Sequence, residues 1–117
     1  MNKNSALPRK SKTYPSPLRY PGGKAVLSGL LSDIVLLNNL ESGFYAELYC
    51  GGAGAGLALL FDGVVSELHL NDADPAVYSF WVAVTSRNSD FVARLQSVEL
   101  SVKEWERQRD VYREGEI

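Results

Sequence analysis

Phe44-Tyr45-Ala46-Glu47-Leu48-Tyr49 runs directly into Cys50-Gly51-Gly52-Ala53-Gly54-Ala55-Gly56 and then into Leu57-Ala58-Leu59-Leu60-Phe61. The first segment is short and rich in aromatic residues, which predicts a strand. The second is a glycine-rich loop, and the third is an apolar helix that Asp62-Gly63 closes. A glycine turn between a strand and a helix lets a ligand approach the backbone closely at the helix N-terminus.

Three chemistries use this device, and spacing separates them. A phosphate loop needs a Gly-Lys pair followed by Ser or Thr, and the loop holds no Lys. The dinucleotide fingerprint Gly-x-Gly-x-x-Gly fails as well. Counted from Gly52 and Gly54 its third glycine falls on Leu57, and counted from Gly54 and Gly56 it falls on Leu59. The third chemistry is binding of a nucleoside without phosphate. S-adenosylmethionine, with a sulfonium, an α-ammonium and a ribose diol, calls for acids at the strand ends rather than cations.

Working outward, Glu67-Leu68-His69-Leu70-Asn71 predicts a second strand that ends at Asp72. In an open parallel sheet the C-terminal ends of such strands face one crevice. Glu47, at the end of the first strand, can attract an ammonium or sulfonium, and Asp72 can accept hydrogen bonds from ribose hydroxyls. A tight turn with acids nearby is the simpler reading, and it stays open on the residues alone.

The flanks read as helices. Val26, Leu27, Leu30, Leu31, Ile34, Val35 and Leu37 are spaced for one buried helical face that Asn38-Asn39 ends. Asp74 and Pro75 predict an N-cap and a first-turn proline, ahead of an apolar face of Val77, Tyr78, Phe80, Trp81 and Val84. Two further helices are expected, near Asp90–Val98 and after Ser101-x-x-Glu104, a capping-box pattern. Alternating helices and strands imply an α/β layer with a parallel sheet. Two strands fall short of the usual number, about six, for a doubly wound sheet, so we expect a further C-terminal portion or a partner that supplies one.

Charge is unevenly spread along the 117 residues, whose net value is −2. Residues 1–24 carry six basic residues and no acid, whereas residues 25–86 carry seven acids and no Lys or Arg. A basic arm can neutralise DNA phosphates, and an acidic centre suits a cationic ligand. Residues 1–16, with Lys, Ser, Asn and Pro, read as a basic flexible tail, and 17–117 as one α/β unit. With one Cys and one His the chain lacks the ligands of a His/Cys zinc site. No apolar run reaches the ~18 residues of a membrane span, and a single cysteine makes a reducing cytoplasm the expected compartment.

Three segments in register resemble the Dam-like DNA adenine-N6 methyltransferases, in which the cofactor motif precedes the catalytic one. Arg19-Tyr20-Pro21-Gly22-Gly23-Lys24 is similar to the family's aromatic-x-Gly-Gly-Lys motif. Glu47-Leu48-Tyr49-Cys50-Gly51-Gly52-Ala53-Gly54 is similar to its acid-Pro-Phe-x-Gly-x-Gly motif, and Leu70-Asn71-Asp72-Ala73-Asp74-Pro75 to its Asn-Asp-x-Asn-Pro stretch. The resemblance implies a Rossmann-like methyltransferase fold, present here as its N-terminal, cofactor-binding part, and S-adenosylmethionine as the cofactor. It implies that Tyr20, Gly23 and Lys24 close over that cofactor. Glu47, Leu48, Tyr49, Gly51, Gly52 and Gly54 would cradle its methionine part, and Asp72 would hold the ribose.

The sequence departs from the family at Leu48, where Pro is usual, and at Ala53, where Gly is usual. The family's Asp-Pro-Pro-Tyr is absent, and Asp74-Pro75-Ala76-Val77 lacks its second Pro and aromatic residue. No catalytic residue is therefore named. The expected partners are double-stranded DNA, through a complete protein of bacterial or phage origin, and a complementing chain carrying the catalytic motif. The rival readings are a catalytically inactive or split binding module and a nucleotide-dependent oxidoreductase. His69, alternating with leucines, and Cys50, a pocket-wall residue, are given no chemistry. Trp105, Arg107, Arg109, Tyr112 and Arg113 are interleaved with Glu104, Glu106, Asp110 and Glu114, which reads as a salt-bridged solvated helix face rather than a DNA contact.

Overall fold

The computed structural model describes residues 16–115. The basic tail expected over 1–16 lies, apart from Ser16, outside the described residues. The order of elements is a 3₁₀ turn at Ala25–Leu27, α1 (Ser28–Leu37), β1 (Phe44–Glu47), α2 (Gly54–Phe61), β2 (Glu67–Leu70), α3 (Pro75–Ser86), α4 (Asn88–Ser97) and α5 (Val102–Glu114). The architecture is mixed α/β, with a two-stranded parallel sheet and five α-helices among the described residues. The chain divides into two units, Met1–Leu70 and Asn71–Ile117.

In the first unit β1 and β2 pair in parallel, with Phe44 opposite Glu67 and Glu47 opposite Leu70. Parallel neighbours need a crossover, and α2 supplies it. Strand alternation then sorts the side chains onto two faces. Tyr45, Glu47, Leu68 and Leu70 are all half-buried, whereas Phe44, Ala46, Glu67 and His69 are exposed. On the exposed face the His69 ring stands 5.8 Å from that of Phe44. Its Nε2 meets Glu67 Oε1 at 2.7 Å, so His69 is satisfied by neighbours on its own sheet. The core gathers Leu59, 1% exposed, with Val64 and Val65, and Leu31, Val35, Tyr45 and Leu60 pack against it.

Both strands stop earlier than the aromatic and apolar patterns predict. β1 ends at Glu47 because its partner row ends at Leu70, and the Tyr49 carbonyl is taken by the Lys24 ammonium instead. Helix α2 starts at Gly54, ahead of the expected Leu57. Leu57 N already donates to Ala53 O, so the last glycines of the loop are the first turn of the helix. The broad buried face expected on α1 is not formed. Only Leu31 and Val35 reach the core, while Val26 is 89% and Leu37 83% exposed. The periodicity is there, but α2 and the Ala25–Leu27 turn are the main elements against α1, and they cover one stripe.

The second unit follows its sequence signals closely. Asp74 caps α3 by accepting from Ala76 N at 2.8 Å, and Pro75 takes the first turn. Val77 and Trp81 are buried on α3, while Tyr78 is exposed. Phe80 meets Phe91 of α4 edge-on at 5.7 Å. Ser101 caps α5 by accepting from Glu104 N, but the reciprocal half of the capping box is missing. The Glu104 carboxylate turns instead to Arg107 Nε (2.8 Å) and Nη2 (2.7 Å) and to Gln108.

Candidate functional site

At the C-terminal edge of the sheet, the turn from Leu48 to Ala53 carries β1 into α2. The turn needs left-handed backbone twice, at Gly51 (φ +50°) and at Ala53 (φ +51°). Glycine adopts this conformation freely, whereas an L-residue is strained in it by roughly 1–2 kcal/mol. Ala53 accepts that strain with its methyl group sealed in, at 1% exposure. Its N–H donates to Cys50 O at 2.7 Å, which closes the turn.

The Ser16–Lys24 segment lies directly on this turn. A Cβ on Gly51 would stand 2.8 Å from Tyr20 Cδ1 and 2.9 Å from Cε1, and one on Gly52 would stand 2.8 Å from the Leu18 carbonyl oxygen. Gly51 and Gly52 are therefore small because Tyr20 and Leu18 rest on them. Gly54 is small for a similar reason, since its Cβ would meet Ala25 Cβ at 2.9 Å. Lys24 Nζ donates to Tyr49 O at 2.9 Å and ties the far end of the segment to the end of β1. Gly23 is under no such demand, with only the Tyr20 carbonyl at 3.6 Å.

Glu47 closes the unit from the other side. Its Oε1 accepts from Gly56 N at 2.8 Å. The first N–H groups of a helix have no partner within the helix, and Ala53 offers no side-chain cap. A carboxylate from β1 thus does the work of a cap for α2. Burial pushes the Glu47 pKa up, while the Gly56 N–H and the Lys24 ammonium pull it down; the net shift is upward. The Tyr45 phenol, on the same sheet face, is also raised, by burial first and then by the Glu47 charge.

Of the predicted site residues, Tyr20, Lys24, Glu47, Tyr49, Gly51, Gly52 and Gly54 come together at this edge. The side chains of Leu48 and Tyr49 are exposed, and Tyr49 takes part through its carbonyl. Asp72 begins two residues after Leu70 and belongs to the second unit. It is half-buried there, and its Oδ1 accepts from Asp74 N at 3.0 Å. Sequence reasoning passed over Leu18 and Ala25, which no motif marks. Gly56 reads from sequence as the last glycine of the loop, with no role, although glycine is the residue used where two groups approach closely.

The groups at the edge are acceptors and an apolar ring. They comprise a half-buried carboxylate whose ionised form is under-stabilised, backbone carbonyls, and an aromatic ring. The Lys24 ammonium is already bonded to a carbonyl. Among the described residues no group of three or more His, Cys, Asp or Glu could hold a metal ion, and no helix is long and apolar enough to cross a membrane. Comparison with protein-family models, curated proteins and solved structures finds no match.

Proposed function

We propose that this chain binds S-adenosylmethionine at the C-terminal edge of the β1–α2–β2 unit, as the cofactor-holding part of a Rossmann-like DNA adenine-N6 methyltransferase. The observation that carries the reading is Glu47 at the mouth of a strand, glycine turn, helix and parallel strand. Glu47 stands in a 62-residue span, 25–86, free of Lys and Arg, and the Lys24 ammonium just ahead of that span is bonded to the Tyr49 carbonyl. A phosphate-binding unit built on this plan would offer the opposite charge.

The roles follow from the groups present. Glu47 attracts the ammonium or sulfonium, and the Tyr20 ring walls the turn. Lys24 fixes the Tyr49 carbonyl; a ribose contact for Asp72 is what the family resemblance implies. The cofactor, when bound, supplies an electrophilic methyl group. Transfer to adenine requires the base to be flipped out of duplex DNA and held, which costs a few kcal/mol of unstacking. No residue of this chain is assigned to that step.

A second reading is favoured by Asp74-Pro75. The only Asp-Pro pair is used as an N-cap and a first-turn proline, and no Asp-Pro-Pro-Tyr occurs in the sequence. The chain is then a binding module for a partner that carries the catalytic motif. Calorimetric titration of the full chain with S-adenosylmethionine, S-adenosylhomocysteine and NADH tests both readings. Binding of the first two, lost in Glu47→Gln and weakened in Asp72→Ala, is expected. Preference for NADH, or unchanged binding by both variants, overturns the cofactor assignment. Methylation of adenine in duplex DNA by the isolated chain would overturn the second reading.

A further inference from the structure

We propose that Gly56, which lies outside the residues assigned to the cofactor, is the positioning residue for Glu47. Its N–H anchors one carboxylate oxygen, and its missing side chain leaves the room that carboxylate occupies. The proposal rests on the cofactor reading for its consequence in binding, but not for its geometry. The N–H to Oε1 distance is 2.8 Å. A Cβ on Gly56 would stand 3.1 Å from Glu47 Oε1, 3.3 Å from Glu47 Cδ and 2.7 Å from Leu68 Cδ1. The Leu68 methyl is the end of a flexible side chain and can turn aside. The carboxylate, held by the same residue's N–H, must then give by a few tenths of an ångström.

Helix propensity makes the opposite demand. Within a helix alanine is favoured over glycine, and Gly56 is the third residue of α2. Gly56 has no left-handed backbone to justify it, since only Gly22, Gly51, Gly63 and Gly115 among the glycines have positive φ. What remains is the space for Leu68 and Glu47. The charges around that carboxylate are few. Lys24 acts on it from ahead of the 3₁₀ turn, and Tyr45 shares its sheet face. Helix α2 contains no ionisable side chain, and Glu67 and His69 project from the other face of β2. An N–H bonded to the ionised form holds a carboxyl pKa down, so removing that bond moves the pKa up.

The test is an NMR pH titration of the full chain without ligand, following the Gly56 amide proton and the Glu47 carboxyl carbon in the wild type, Gly56→Ala and Glu47→Gln. The Gly56 amide is expected to titrate with Glu47, and Glu47→Gln, whose carbonyl can still accept, is expected to abolish that inflection. Gly56→Ala should move the Glu47 midpoint upward and, by loosening the hydrogen bond that positions the carboxylate, weaken S-adenosylmethionine binding about tenfold. A helix glycine with a merely structural role would move neither midpoint. An amide indifferent to Glu47 overturns the proposal even if the cofactor binds. A wild type that shows the coupled titration and binds no cofactor upholds the positioning of Glu47 and overturns the cofactor reading.

Discussion

Replacing Gly51 by alanine separates two demands that meet at one residue. The backbone at φ +50° strains any L-residue by about 1–2 kcal/mol. The new methyl would also stand 2.8 and 2.9 Å from the Tyr20 ring. Two non-bonded carbons do not approach so closely, so the ring must shift. Displacing a half-exposed tyrosine forfeits part of the ~1.5–3 kcal/mol of a fully buried large side chain, or about 1 kcal/mol. Gly51→Ala is therefore expected to cost about 2–3 kcal/mol in the wild type. In a Tyr20→Ala background it should cost only the backbone share, about 1–2 kcal/mol. The assay is a double-mutant cycle from urea denaturation followed by far-ultraviolet circular dichroism, with amide hydrogen exchange in α2 to place the loss in the first unit. Equal costs in the two backgrounds would refute the claim that the Tyr20 ring is what Gly51 accommodates.

Three further outcomes are expected. Leu59→Ala, at the centre of the Val64–Val65 core, should destabilise the first unit by roughly 2–5 kcal/mol in the same denaturation assay. Because burial holds the Glu47 pKa up, its contribution to stability is fully present below its unfolded pKa and is lost as pH rises through the folded one; Glu47→Gln should flatten that decline in a stability–pH profile. Glu104 behaves oppositely. Its hydrogen bonds from Arg107 and then Gln108 hold its pKa at about 2, so its contribution is present above the ordinary carboxylate range and disappears as pH falls towards 2. Arg107→Ala should bring the Glu104 carboxyl resonance part of the way back to an ordinary midpoint, the Gln108 bond remaining.

The parts of the fold that were legible are those governed by near neighbours in sequence. Asp74-Pro75 and Ser101 announce helix starts because a cap is made within three residues, and Asp62-Gly63 announces a stop for the same reason. Strand alternation set His69 apart from Leu68 and Leu70, and the structure places it on the exposed face. The α1 face was over-read, since periodicity reveals which residues share a stripe but not how much of that stripe a neighbour covers. At the site, residue types were legible and partners were not. Glu47 was expected to face a ligand, yet one oxygen serves the helix nine residues on. Tyr20 and Lys24 were expected over a cofactor and are found over the chain's own turn, the latter through a bond spanning 25 residues. Such contacts depend on the folded path, which spacing alone does not encode.

Ala53 carries a consequence for recognition. A residue that spends its life in an uncomfortable conformation, pinned by a sealed methyl and a short 2.7 Å bond to Cys50, is a spring already wound before any guest arrives. The turn therefore need not be ordered on ligand arrival, and the entropy that a floppy glycine loop would surrender has already been settled during folding. Ala53→Gly would unwind that spring, leaving a more comfortable backbone and a less ready receptor.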